Sequence, residues 1–176
     1  MRKFIIPLLS GLVLGSSAAA ATNGQPAAGG GLDKIAAYAG TWKTGTEHFA
    51  TPFSKAGKES ATLRNDCWRS AGYYACDQLV NGDSKALIVF TYDAKDDTYA
   101  TYPIIAGSGN VQSGKLIIKG NVWTFPWKVT EKGKTSYFRV LNIFMTPDTI
   151  EFRQEYSQDQ VHWFQMAQGF EQKIDK

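Results

Sequence analysis

From Thr41 onward the chain alternates β-branched and aromatic runs with turn-forming clusters at intervals of about ten residues, a rhythm with room for strands and almost none for helices. The runs fall at 41–50, 59–69, 73–80, 85–93, 97–104, 114–119, 121–131, 134–146, 149–157 and 161–172. Between them stand Asn81-Gly82-Asp83, Lys95-Asp96-Asp97, Ser113-Gly114, Gly120-Asn121, Lys132-Gly133, Pro147-Asp148 and Ser157 to Gln160, all rich in turn residues. Links this short make each strand pair with its neighbour in sequence. One helical pattern precedes the strands: Asp33 as cap, Leu32, Ile35 and Tyr38 near helical spacing, and Gly40 as the stop. The expected fold is all-β, an up-and-down antiparallel barrel of about ten strands that closes its own edges, with one short N-terminal helix at one end.

Period-two alternation assigns faces. Between 121 and 131, Trp123, Phe125, Trp127 and Val129 share one face and Thr124, Lys128 and Thr130 the other. Between 149 and 157, Ile150, Phe152, Gln154 and Tyr156 oppose Glu151, Arg153 and Glu155. The aromatic set in each case is expected inside. Ten strands enclose more space than side chains fill as readily as in an eight-stranded barrel. The interior is therefore either a cavity, with Trp123, Phe125, Trp127 and Tyr156 lining it, or a core plugged by those rings. The strand at 134–146 is apolar on both faces. If Tyr137, Arg139, Leu141 and Ile143 point inward, Arg139 offers a rigid guanidinium fork to a ligand carboxylate. If they point outward, it is a surface charge.

The N-terminus carries Arg2 and Lys3, an apolar run from Phe4 to Leu14 broken by Pro7, Ser10 and Gly11, and then small residues giving A-x-A sites that end at Ala20 or Ala21. This is the pattern of an export signal, and the run is too short for a membrane-spanning helix. We expect a signal peptide at 1–21, a flexible leader at 22–31, which has no large side chain to bury, and a single barrel domain at 32–176, periplasmic or secreted. Of the 176 residues, removal of the first 21 takes Arg2 and Lys3 and no acid, so a net charge of +3 falls to +1. That balance gives no electrostatic case for nucleic acid or an anionic membrane as partner. An outer-membrane barrel needs an apolar outer band, and the outward set here includes Lys128, Glu151, Arg153 and Glu155.

Export makes a disulfide chemically reasonable, and the two cysteines suit one. Cys67 and Cys76 frame a segment that turns at Ala71-Gly72, which places Ser70 opposite Tyr73 and Cys67 opposite Cys76. Counting outward from the turn, the cysteines fall in a non-hydrogen-bonded pair, whose Cα atoms approach to about 4.5 Å, within disulfide range. The spacing is not that of a CxxC redox motif, and two Cys with no His nearby do not make a zinc site.

No G-x-S-x-G, no Ser/His/Asp ordering, no phosphate loop and no grouped metal ligands occur. Asp93, Asp96, Asp97, Glu151 and Glu155 fall in turns or on solvent faces, so no carboxylate pair is set up for acid–base work. We expect no enzyme, no metal and no cofactor.

The Gly40-Thr41-Trp42 segment after the helix resembles the G-x-W signature of the calycins, the lipocalin and fatty-acid-binding superfamily. Tyr92-Asp93 followed by Tyr99, Gly114-Lys115-Leu116, and Tyr156-Ser157-x-Asp159 with Trp163 are similar to the DUF1579 group of lipocalin-like proteins. The matching motifs are scattered over most of 32–172, and Gln160 stands where that pattern has Gly. The resemblance implies a barrel with a small-molecule pocket and no shared catalytic set. It implies that Trp42 closes one end beneath a late-strand Arg, either Arg139 or Arg153. Heme-binding relatives use one barrel-wall His, which makes His162 the residue for that alternative. The leading expectation is an exported binding protein, a monomer or weak dimer, for a small apolar or amphipathic molecule. The alternative is a structural or interaction protein of the envelope with a filled barrel.

Overall fold

Turn chemistry sets the strand boundaries. Asn81 and Gly82 take φ of 52° and 91°, and Lys132 and Gly133 take 49° and 78°. Paired left-handed residues match the twist of antiparallel neighbours and make tight hairpins. The computed structural model describes residues 30–108, 111 and 113–175. The expected signal peptide and all of the expected leader except Gly30 and Gly31 lie outside the described residues.

A 3-10 helix, Gly31–Tyr38, is followed by ten strands: β1 Gly40–His48, β2 Gly57–Arg69, β3 Tyr74–Val80, β4 Asp83–Asp93, β5 Thr98–Ile105, β6 Gly114–Lys119, β7 Val122–Glu131, β8 Lys134–Thr146, β9 Thr149–Ser157 and β10 Phe164–Lys173. Each pairs antiparallel with its sequence neighbour, and β1 pairs with β10 to close the barrel. At that seam Gly169 lies so near Gly45 that a Cβ would run into the Gly45 carbonyl, so the position needs glycine.

Most boundaries fall within two residues of expectation, and two differences have a local reason. The helix begins at Gly31, within the expected leader, and Asp33 does not cap it. Asp33 instead accepts a hydrogen bond from Arg69 Nε at 3.0 Å. The last strand begins at Phe164 rather than 161 because the preceding amides are already used. Ser157 Oγ accepts from the Gln160 N–H at 2.8 Å, and Asp159 Oδ1 from the N–H groups of Val161 and His162 at 2.9 and 2.8 Å. Amides bound to side chains cannot join a ladder.

The turn at Ala71-Gly72 is present: the Ser70 N–H donates to the Tyr73 carbonyl at 2.9 Å, and Cys67 pairs with Cys76 in register. The two are disulfide-bonded with Cα atoms 4.0 Å apart.

The register fixes the barrel's inner face. Trp123 opposes Asn142, Phe125 opposes Val140, and Trp127 opposes Phe138. Phe138, Asn142 and Phe144 are buried. The even-numbered residues of β8 therefore face inward, and Tyr137, Arg139, Leu141 and Ile143 face out. On β9 the inner set is Ile150, Phe152, Gln154 and Tyr156, with Arg153 outside.

The helix closes one end. Tyr38 reaches from it into the barrel, its ring 5.0 Å from that of Trp123 and 5.6 Å from that of Phe144. Leu32, Ile35, Trp42, Phe90 and Ile150 complete this packed half. The Trp42 indole N–H donates to the Tyr38 carbonyl at 3.1 Å, which ties helix to wall.

Candidate functional site

The half of the barrel away from the helix is built differently. Trp127 stacks on Phe138 with ring centres 5.3 Å apart, Phe53 meets both Phe138 and Tyr156 at 5.0 Å, and Tyr156 stacks on Phe164 at 5.3 Å. Phe53 belongs to the link between β1 and β2, which folds over this end. The Phe49 N–H donates to the Met166 carbonyl at 2.9 Å, and Ser54 Oγ to the Phe49 carbonyl at 2.8 Å. These bonds hold Phe53 as part of an aromatic mouth, 45% exposed on its outer side. Between the mouth and the helix-end plug, Phe125, Val140 and Phe152 face inward from β7, β8 and β9, yet each is only half-buried. Inner-face side chains of a closed wall that keep accessible surface border space rather than packed atoms.

Polar groups face the same interior. Asn142 Nδ2 donates to the Tyr38 hydroxyl at 2.8 Å, while Asn142 Oδ1 and the Trp123 indole N–H have no partner among the described residues. Gln154, on the same inner face, is 5% exposed. Buried polar atoms left unmatched are uncommon and need a reason. Glu171 lies opposite Thr44 on β1 and Ile150 on β9, both inner-face residues, and no ion pair among the described residues reaches it. Burial with nothing to offset it pushes its carboxyl up to about 7. The Tyr38 phenol is likewise raised well above its usual value, chiefly by burial, with the Asn142 hydrogen bond opposing and the charge of Glu171 adding to it. Burial disfavours the charged form of each.

Sequence-expected residues divide sharply. Phe125, Trp127 and Tyr156 line the interior. Trp123 faces inward but is fully buried in the plug between Tyr38 and Phe144, so it closes the helix half rather than lining open space. Tyr137 sits outside, opposite Lys128 and Ser157. Arg139 is also outside: its Nε donates to Glu155 Oε2 at 2.6 Å, and its guanidinium lies 3.9 Å from the centre of the Trp163 ring. It cannot meet a ligand inside the barrel. Trp42 does close one end, but the cation over its ring is Lys173, with Nζ 5.3 Å from the centroid. Arg153 is on the outer wall, bonded to Glu151 at 2.6 Å. His162 rules itself out as an interior heme ligand, since its side chain is 76% exposed on the link before β10, with Nδ1 2.7 Å from Asp159. Hydrogen bonds from His162 hold the Asp159 carboxyl below the usual carboxylate range.

Glu171, Asn142, Gln154 and Tyr38 were not singled out from the sequence as site residues. The segment Gln168-Gly169-Phe170-Glu171-Gln172-Lys173 shows no apolar alternation, so its inner face becomes visible only through pairing with β1. A second, open cleft at the helix end has its charges already matched: Arg64 bonds Asp66 at 2.7 Å, and Asp175 accepts from the Thr41 N–H at 2.7 Å. Among the described residues no group of three His, Cys, Asp or Glu side chains could hold a metal ion, and no helix is long and apolar enough to cross a membrane. Comparison with protein-family models and with curated proteins found no match.

Proposed function

We propose that this chain is an exported, lipocalin-like binding protein that holds one small apolar or amphipathic molecule between the Tyr38–Trp123–Phe144 plug and the aromatic mouth. The observation that carries this reading is the half-buried inner-face trio Phe125, Val140 and Phe152 inside a closed wall. The export pattern at 1–21 and the Cys67–Cys76 disulfide support an extracytoplasmic site of action. Burying about 300 Å² of ligand surface yields roughly 7.5 kcal/mol at 25 cal/mol per Å². Association costs of at least about 4 kcal/mol leave too little for useful affinity on apolar contact alone. A polar anchor is therefore required. With Arg139 on the outer wall, the anchor falls to the interior set of Glu171, Gln154 and Asn142.

Native mass spectrometry of the protein purified from its own cell envelope tests the reading. The expected spectrum shows a chain cleaved after Ala20 or Ala21 with a non-covalent adduct that organic extraction removes. A spectrum of bare polypeptide, with no adduct formed on adding 1-decanol, would refute it. That result would favour the second reading, a filled structural barrel, which the tight packing of Tyr38 against Trp123 and Phe144 supports for the helix half.

A further inference from the structure

We infer that the ligand's polar end is a protonated amine received by the carboxylate of Glu171, so that the barrel takes a cationic amphipath rather than a fatty-acid-like carboxylate. This rests on the binding reading above and names its ligand class.

Two inner polar atoms lack a partner among the described residues, the Asn142 Oδ1 acceptor and the Trp123 indole N–H donor. Glu171 adds a negative charge on the inner face, and no ion pair among the described residues meets it. Among the described residues the interior supplies no free cation to meet that charge. Lys173, two residues beyond Glu171, is held over the Trp42 ring at the closed end. His48, a basic inner-face group on β1, is engaged by Glu59 at 3.0 Å. Facing Glu171 across its two strand neighbours are Thr44 and Ile150, neither of them charged, and from the helix the Tyr38 hydroxyl, which feels its charge. Toward the mouth, the next inner-face position of β10 is Gly169, opposite Thr46 and Phe152. Gly169 is backed by the Gly45 carbonyl and opens no space of its own, so the route from the mouth to Glu171 passes along Phe152. A carboxylate brought along that route would meet a like charge in a low-dielectric interior, and an ammonium would meet an opposite one. The aromatic walls of Phe125 and Phe152 tolerate a cation's approach as well. Loss of the ion's hydration is offset only by a hydrogen-bonded partner, which Glu171 provides.

The test uses three probes of equal chain length, decylamine, 1-decanol and decanoate, below their micellar concentrations. Each is titrated calorimetrically at pH 8 into the mature protein and into Glu171→Gln, a change that keeps side-chain shape. The expected result is decylamine binding at least tenfold tighter than either of the others. In Glu171→Gln that advantage disappears. Decanoate equal to or tighter than decylamine, or an amine advantage that survives Glu171→Gln, overturns the amine assignment and leaves the binding reading standing if 1-decanol binds. If none of the three binds, both fall. The head-group comparison on the unaltered protein decides even if the variant folds poorly.

Discussion

Glu171 makes the stability of this fold depend on pH in a direction opposite to that of most carboxylates. In an unfolded chain its carboxyl titrates near 4.5, whereas inside the barrel burial raises it to about 7. Between those values the folded state holds a proton that the unfolded state has released. Folding then takes up a proton, and stability falls as pH rises. Below about pH 4.5 both states are neutral at this site and nothing is lost. Above about pH 7 the full penalty is present, about 3 kcal/mol at 1.36 kcal/mol for each tenfold change in proton affinity. Glu171→Gln removes the ionisation and keeps the shape. The variant should match the unaltered protein near pH 4 and exceed it by about 3 kcal/mol at pH 8, a shift of roughly 1–3 M in the urea midpoint. Urea unfolding followed by tryptophan fluorescence from pH 4 to 8.5, disulfide intact, measures this. Comparing the two proteins at each pH cancels the opposite contributions of Asp159 and Asp175, whose carboxyls are held low. A difference independent of pH, or one that shrinks as pH rises, would refute the placement of an unpaired carboxyl inside the barrel.

Three further outcomes are expected. Arg139→Ala should cost about 1–2 kcal/mol in urea unfolding, through the Glu155 ion pair and the Trp163 stack, while leaving 1-decanol affinity unchanged; a loss of affinity would return Arg139 to the interior. Gln160 holds a left-handed backbone with φ of 65°, so Gln160→Gly should raise stability by about 1 kcal/mol by thermal unfolding, and a destabilised variant would contradict the strain. Replacing Cys67 and Cys76 together by Ser should cost about 2.7 kcal/mol for the loss of a ten-residue loop constraint, read from urea curves of the two proteins.

The architecture was legible because turns and alternation agreed. Trp123, Phe125 and Trp127 set against Lys128 and Thr130, and Ile150, Phe152 and Tyr156 set against Glu151 and Arg153, pointed to inner faces that the register bears out. The disulfide followed from one hairpin turn. The same counting, applied to Lys132-Gly133, puts Phe138 opposite Trp127 and hence Arg139 on the outer wall. The apolar residues on both faces of β8 concealed this, because Tyr137, Leu141 and Ile143 look as fit for a core as Phe138, Val140 and Phe144. Glu171 was hidden for the converse reason. Its strand is mostly polar, and only pairing with Thr44 across the closing seam turns it inward. Pairing between the first and last strands carries no local sequence signal. The cation over Trp42 was misassigned for the same reason, since Lys173 reaches that ring through the β1–β10 seam.

Space between the helix-end plug and the aromatic mouth is what the binding function requires, and xenon reports it most directly. Apolar cavities take up the gas, whereas packed interiors exclude it. Crystals of the delipidated mature protein, pressurised with xenon, should show an anomalous peak bordered by Phe125, Val140 and Phe152. No peak there, with those three side chains in mutual van der Waals contact, would contradict a hollow barrel.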